Sequence, residues 1–65
     1  MTGEVKSFSP FHGYGYITVA GVDYWFHNKD WMLRIPPVKG LKVDFEPYDS
    51  AKGLRASKIK LRTNQ

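Results

Sequence analysis

Apolar and aromatic residues recur along this chain in short alternating runs, without the three- and four-residue spacing that would build a long helical face. Strands are predicted at Gly3–Ser9, Tyr14–Val19, Val22–His27, Leu41–Pro47 and Leu54–Arg62, each rich in β-branched or aromatic side chains. Turn residues separate them: "SPFHG" after the first strand, "AG" after the second, "YDSAKG" after the fourth. The remaining connection, Asn28–Gly40, has room for one helical turn. Asn28 is its expected N-cap, and Asp30 suits the positive end of a helix. "IPP" then ends it, because Pro36 biases Ile35 away from helix. Repeats and low-complexity tracts are absent, so residues 1–65 read as a single domain. Short strands with few residues to spare predict a small closed barrel, which also protects its edges.

Strand alternation sorts the rings. In the second strand Tyr14, Tyr16 and Thr18 face one way, and Gly15, Ile17 and Val19 the other. In the third, Asp23, Trp25 and His27 oppose Val22, Tyr24 and Phe26. Ile17 and Val19 mark the core face. Antiparallel pairing across a tight Ala20–Gly21 turn sets Ile17 opposite Tyr24, Tyr16 opposite Trp25 and Tyr14 opposite His27. Tyr14, Tyr16, Trp25 and His27 are thus expected together on the outer face.

An exposed patch of rings calls for a partner, and flat rings take the faces of unpaired bases. Basic side chains around it would hold phosphates: Lys6 on the first strand, His12 before the second, Lys29 after the third, and Lys52, Arg55, Lys58 and Arg62 from the last turn and strand. Taken singly, each has a plainer reading. The tyrosines suit any sheet surface, Trp25 could lie under the long loop, and a lone His27 is more often structural than a ligand. Lys58, Lys60 and Arg62 could simply blunt a strand edge. Convergence on one face is what favours binding.

The charge agrees. A net charge of +4 and a pI near 9.6 suit an anionic partner. At 65 residues the chain is close to the lower limit for a single core. Without cysteine it has neither a disulfide nor a thiolate metal site, which fits a reducing compartment. No apolar run approaches the roughly 18 residues of a membrane span, and "MTGEVKSF" lacks a signal pattern. A soluble cytoplasmic protein is the expectation. His12, His27, Asp23 and Asp30 show no nucleophile–base or metal-ligand spacing, so neither enzyme activity nor a cofactor is expected.

The residues also carry a resemblance. "GEVKSF", "HGYGYITV" and "DYWFH" resemble the cold-shock domain in order and spacing, the last two being similar to its two ribonucleoprotein motifs. "GLKVDFEPYDSAKGLRASKIKL" resembles its closing strands, so the similarity covers nearly the whole chain. The motif order differs from that of the RNA-recognition motif, which also needs two helices. The resemblance implies an all-β, five-stranded antiparallel OB-type barrel that binds single-stranded RNA or DNA, with a possible RNA-chaperone role. By position it assigns contacts to Lys6, Phe8, Tyr14, Tyr16, Trp25 and His27, and sets Asp23 near the face.

There are departures. Ser7 stands where the family has tryptophan, and His12 where its first motif opens with a basic residue. Asn28 replaces an aromatic, and the long loop is shorter than usual and lacks its aromatic. Phe11 and Trp31 are rings the family does not normally place there; Trp31 either replaces a lost platform or plugs the barrel end. The competing expectation is a protein-interaction module that uses Trp25, Trp31 and the tyrosines as a hot spot.

Overall fold

The computed structural model describes residues 1–62; residues 63–65 of the expected domain lie outside the described residues. The strands are β1 (Thr2–Ser9), β2 (Tyr14–Val19), β3 (Val22–His27), β4 (Lys42–Ser50) and β5 (Gly53–Leu61). They close into an OB-type barrel in the order β1-β2-β3-β5-β4, with β4 returning to β1. No helix among the described residues is long and apolar enough to cross a membrane.

The barrel is not antiparallel throughout. β3 and β5 run parallel, registered at Trp25 and Arg55. Geometry forces this, because an odd number of strands cannot alternate direction around a closed ring.

Two further expectations change. "YDSAKG" is mostly strand: β4 continues to Ser50, which pairs with Gly53 across a turn of only Ala51 and Lys52. Ser50 Oγ accepts from the Lys52 N–H at 3.2 Å and donates to the Gly53 carbonyl at 2.9 Å, so one side chain satisfies the turn. Pro47 is tolerated because it lies beyond the stretch, Lys42–Asp44, that pairs with β1. The helical turn is a short 3-10 segment, Asn28–Asp30, whose N-cap is His27 rather than Asn28. The His27 Nδ1 accepts the Lys29 N–H at 3.0 Å, supplying the acceptor expected of Asn28, while Asp30 does lie in the first turn. The segment ends before "IPP" because Trp31 already bridges to Ile59 of β5.

Val5, Ile17, Phe26, Val43, Phe45, Ala56 and Ile59 form the buried core. A bulge decides which β1 residues join it. Val5 pairs with Ile17, but Ser7 pairs with the next residue, Tyr16, so Lys6 is the extra residue. Alternation restarts after the bulge and turns Phe8 inward, opposite Gly15. Phe8 stacks on Phe26 at 5.9 Å, and Phe26 on Trp31 at 5.6 Å, making a three-ring column toward one barrel end. Gly15 makes room for it: a Cβ there would collide with the Ser7 carbonyl and come within 3.0 Å of Phe26 Cε1.

Candidate nucleic-acid interface

The β2–β3 hairpin has the register that alternation predicts, with Tyr14 opposite His27, Tyr16 opposite Trp25 and Ile17 opposite Tyr24. The connecting residues explain why. Ala20 and Gly21 both have positive φ, 50° and 83°, which lets a two-residue turn follow the twist of the strands. Tyr14, Tyr16, Trp25 and His27 therefore share the outer face, while Ile17 and Phe26 are buried beneath them.

Neighbouring rings on that face form a series. His12 lies 5.6 Å from Tyr14, Tyr14 5.9 Å from Trp25, and Trp25 6.1 Å from His27. Tyr16 flanks it beside Trp25 and is 37% exposed. The imidazoles are held by local bonds. Ser9 Oγ lies 2.8 Å from His12 Nδ1. Because His27 Nδ1 accepts the Lys29 N–H, its neutral ring carries the proton on Nε2 and keeps a donor for a ligand.

Cations border the rings. The Arg55 guanidinium carbon stands 4.3 Å from the centre of the Trp25 ring. Arg55 and Lys52 join Tyr16, Asp23, Trp25 and Leu54 around a shallow groove of about 470 Å³. The bulge puts Lys6 on the same face, where its ammonium meets the Asp23 carboxylate at 2.7 Å. The hydrogen bond from Lys6 holds the Asp23 carboxyl below the usual carboxylate range; its slight desolvation opposes that, and the Lys6 charge and a Thr18 hydrogen bond add to it. Lys29 is exposed just past His27. Lys58 lies at the β5 bulge, 3.6 Å from Glu46, and Arg62 lies near the Ala20–Gly21 turn, so neither joins the patch.

Two residues expected at the interface, Phe8 and Trp31, are half-buried and pack toward the core, where they also line a surface groove with Asn28 and the long loop. Phe8 is on the core side of β1, for the bulge reverses the face that counting from Val5 would give. Trp31 packs against the core, and its Nε1 donates to the Ile35 carbonyl at 2.8 Å.

The register also recruits a residue that sequence reasoning left in a turn. Ser7, Tyr16, Trp25, Arg55 and Tyr48 are successive partners around the barrel, and Tyr48 is 42% exposed. Recognising Ala51–Lys52 as the whole turn would have placed Tyr48 opposite Arg55. No family model matches the chain, and no curated protein matches it.

Proposed function

We propose that this barrel binds single-stranded RNA or DNA in the manner of a cold-shock domain, stacking unpaired bases on its outer rings. The observation that carries the proposal is the unbroken series His12–Tyr14–Trp25–His27, with Tyr16 beside it and Arg55, Lys52 and Lys6 at its border. Rings supply sequence-tolerant affinity of about 1–3 kcal/mol per base, and the cations hold the connecting phosphates. The ring centroids are 5.6–6.1 Å apart with planes tilted by 31–50°, so the rings lie side by side and each offers its own face to a base. Strands held this way cannot re-pair, which is the physical basis of an RNA-chaperone role in the cytoplasm.

The test is titration with oligo-dT, oligo-U and a matched duplex, followed by tryptophan fluorescence. Single strands are expected to bind far more tightly than duplex, because paired bases cannot reach the rings. Equal affinity for both would refute stacking. The exposed apolar side chains of Met32, Ile35 and Val38 on the long loop favour a second reading, a protein-docking module. Unchanged tryptophan emission with every oligonucleotide would promote it.

A further inference from the structure

The β1–β2 connection presents an aromatic residue that neither the core nor the four outer-face rings account for. Phe11 is 90% exposed, and its recorded ring neighbour is His12, 5.1 Å away and nearly perpendicular at 86°. Its turn is well held. The Ser9 carbonyl accepts the N–H of His12 at 3.2 Å and that of Gly13 at 2.8 Å, and the Gly13 carbonyl accepts the Asn28 N–H at 2.8 Å. Turn tips of this kind ordinarily carry Gly, Asn, Asp or Ser, which cost nothing in water. At 90% exposed, a phenylalanine there gains little from folding beyond its edge contact with His12, which leaves its ring face open to something outside the chain.

Its position says what. Phe11 continues the ring series beyond His12, at the end away from Trp25. Among the described residues no ion pair places a carboxylate at that end, whereas Asp23 is tied to Lys6 further along the face. The perpendicular setting of Phe11 and His12 turns the series through a corner. A base lying on the Phe11 ring would face nearly at right angles to one on the ring beside it, a geometry suited to the last base of a bound segment.

We infer that Phe11 is a terminal base-stacking subsite, which captures one more unpaired nucleobase and fixes where the bound strand leaves the protein. The inference rests on the single-strand reading above and adds to it a subsite and a boundary. Stacking on phenylalanine is indifferent to base identity and to the sugar, so the subsite affects the length of strand bound more than its sequence.

Oligo-dT from three to eight nucleotides, labelled for fluorescence anisotropy, is titrated into the parent, Phe11→Ala and Phe11→Trp, with thermal midpoints and sedimentation measured for each. Phe11→Ala is expected to match the parent on the shortest strands and to fall behind by about five- to a hundredfold once the strand reaches the extra subsite, the span that one stacked base supplies. Phe11→Trp is expected to retain the parent's length dependence. All three proteins are expected to melt together, because the substituted ring is outside the core. Parent-like binding by Phe11→Ala at every length would overturn the subsite, as would an equal loss at every length, which would make Phe11 a support for His12. A parent that dimerises while Phe11→Ala does not would also overturn it, in favour of self-association. A parent that binds no single strand would instead remove the functional reading itself, and the subsite with it.

Discussion

Arg55 covers Trp25: its guanidinium carbon sits 4.3 Å from the indole centre, and the same two residues register the parallel β3–β5 pairing. A base can stack on that indole only if the guanidinium moves aside. The exchange is favourable, since an exposed cation–π contact is worth about 0.5–1 kcal/mol and a stacked base about 1–3. Arg55 then becomes free to meet a phosphate.

Arg55→Ala therefore has opposing effects, and salt separates them. Losing one phosphate contact makes the slope of log K against log[salt] shallower by about 0.7. Uncovering Trp25 removes the competitor for its face. The variant is expected to bind oligo-dT more weakly than the parent at low salt and at least as tightly at high salt. Parallel salt plots would show that Arg55 touches no phosphate.

Trp25 and Phe26 are adjacent in sequence and face opposite sides of β3, so their truncations are expected to dissociate binding from stability. Tyr14→Ala, Tyr16→Ala and Trp25→Ala each lose about 1–3 kcal/mol of single-strand affinity and about 1 kcal/mol or less of stability. Phe26→Ala empties the centre of the core and costs about 3–5 kcal/mol of stability, enough to unfold a domain this small. Chemical denaturation and binding need to be measured on the same samples, since unfolding imitates lost affinity. Melting of Trp25→Ala with survival of Phe26→Ala would invert the face assignment.

The β2–β3 hairpin was legible because alternation and a two-residue turn are both local: Ile17 and Val19 mark the core side, and the register follows. Phe8 was not legible, because a bulge at Lys6 leaves no mark in the hydrophobic pattern yet reverses every side chain after it. Tyr48 was missed for a different reason. Asp49, Ser50 and Gly53 are turn formers by propensity, but pairing with β5 holds Tyr48 to Ser50 as strand, and only Ala51 and Lys52 turn. The parallel β3–β5 contact depends on barrel closure, which no local window contains.

Among the described residues, two that are not glycine hold left-handed backbone, Ala20 at φ 50° and Lys58 at φ 49°. Each bears a Cβ in a conformation that costs L-residues about 1–2 kcal/mol. Ala20→Gly and Lys58→Gly are each expected to stabilise the barrel by about 0.5–1 kcal/mol, after the greater flexibility glycine gives the unfolded chain is subtracted. That corresponds to a rise of roughly 2–8 °C in melting temperature for a domain of this size. The Lys58–Glu46 pair is exposed, so its loss subtracts little. A lower melting temperature for Ala20→Gly would mean that the turn is not under strain.

The Lys6–Asp23 pair gives the interface an acid response. Lys6 holds the Asp23 carboxyl below its unfolded value of about 3.9, so the pair's contribution to stability is present above that pH and is lost as pH falls through the folded value. Below about pH 4 the melting temperature of Asp23→Asn is expected to fall less steeply than the parent's. At neutral pH the same substitution removes the carboxylate that competes with phosphate for Lys6, so oligo-dT is expected to bind more tightly. Weaker binding by Asp23→Asn would show instead that the carboxylate accepts a hydrogen bond from the ligand.

Trp31 tests whether a ring near the interface works as core or as platform. It stacks on Phe26, donates to the Ile35 carbonyl, and bridges to Ile59, while the Met32 N–H donates to the Ile59 carbonyl at 3.1 Å. These contacts tie the long loop to the barrel end. Trp31→Ala is expected to cost about 2–4 kcal/mol, somewhat less than a fully buried aromatic because the ring is only half-buried. Trp31→Phe preserves the stack on Phe26 and gives up only the indole donor; Ile35 is exposed enough for water to take its place. Its cost is expected to be about 1 kcal/mol or less, with affinity for oligo-dT unchanged. It also leaves Trp25 as the remaining indole, so the emission change on binding then reports the outer face directly. A Trp31→Phe protein that melts like the parent but binds tenfold more weakly would make Trp31 a stacking surface after all, and the groove between it and Pro37 part of the strand's path.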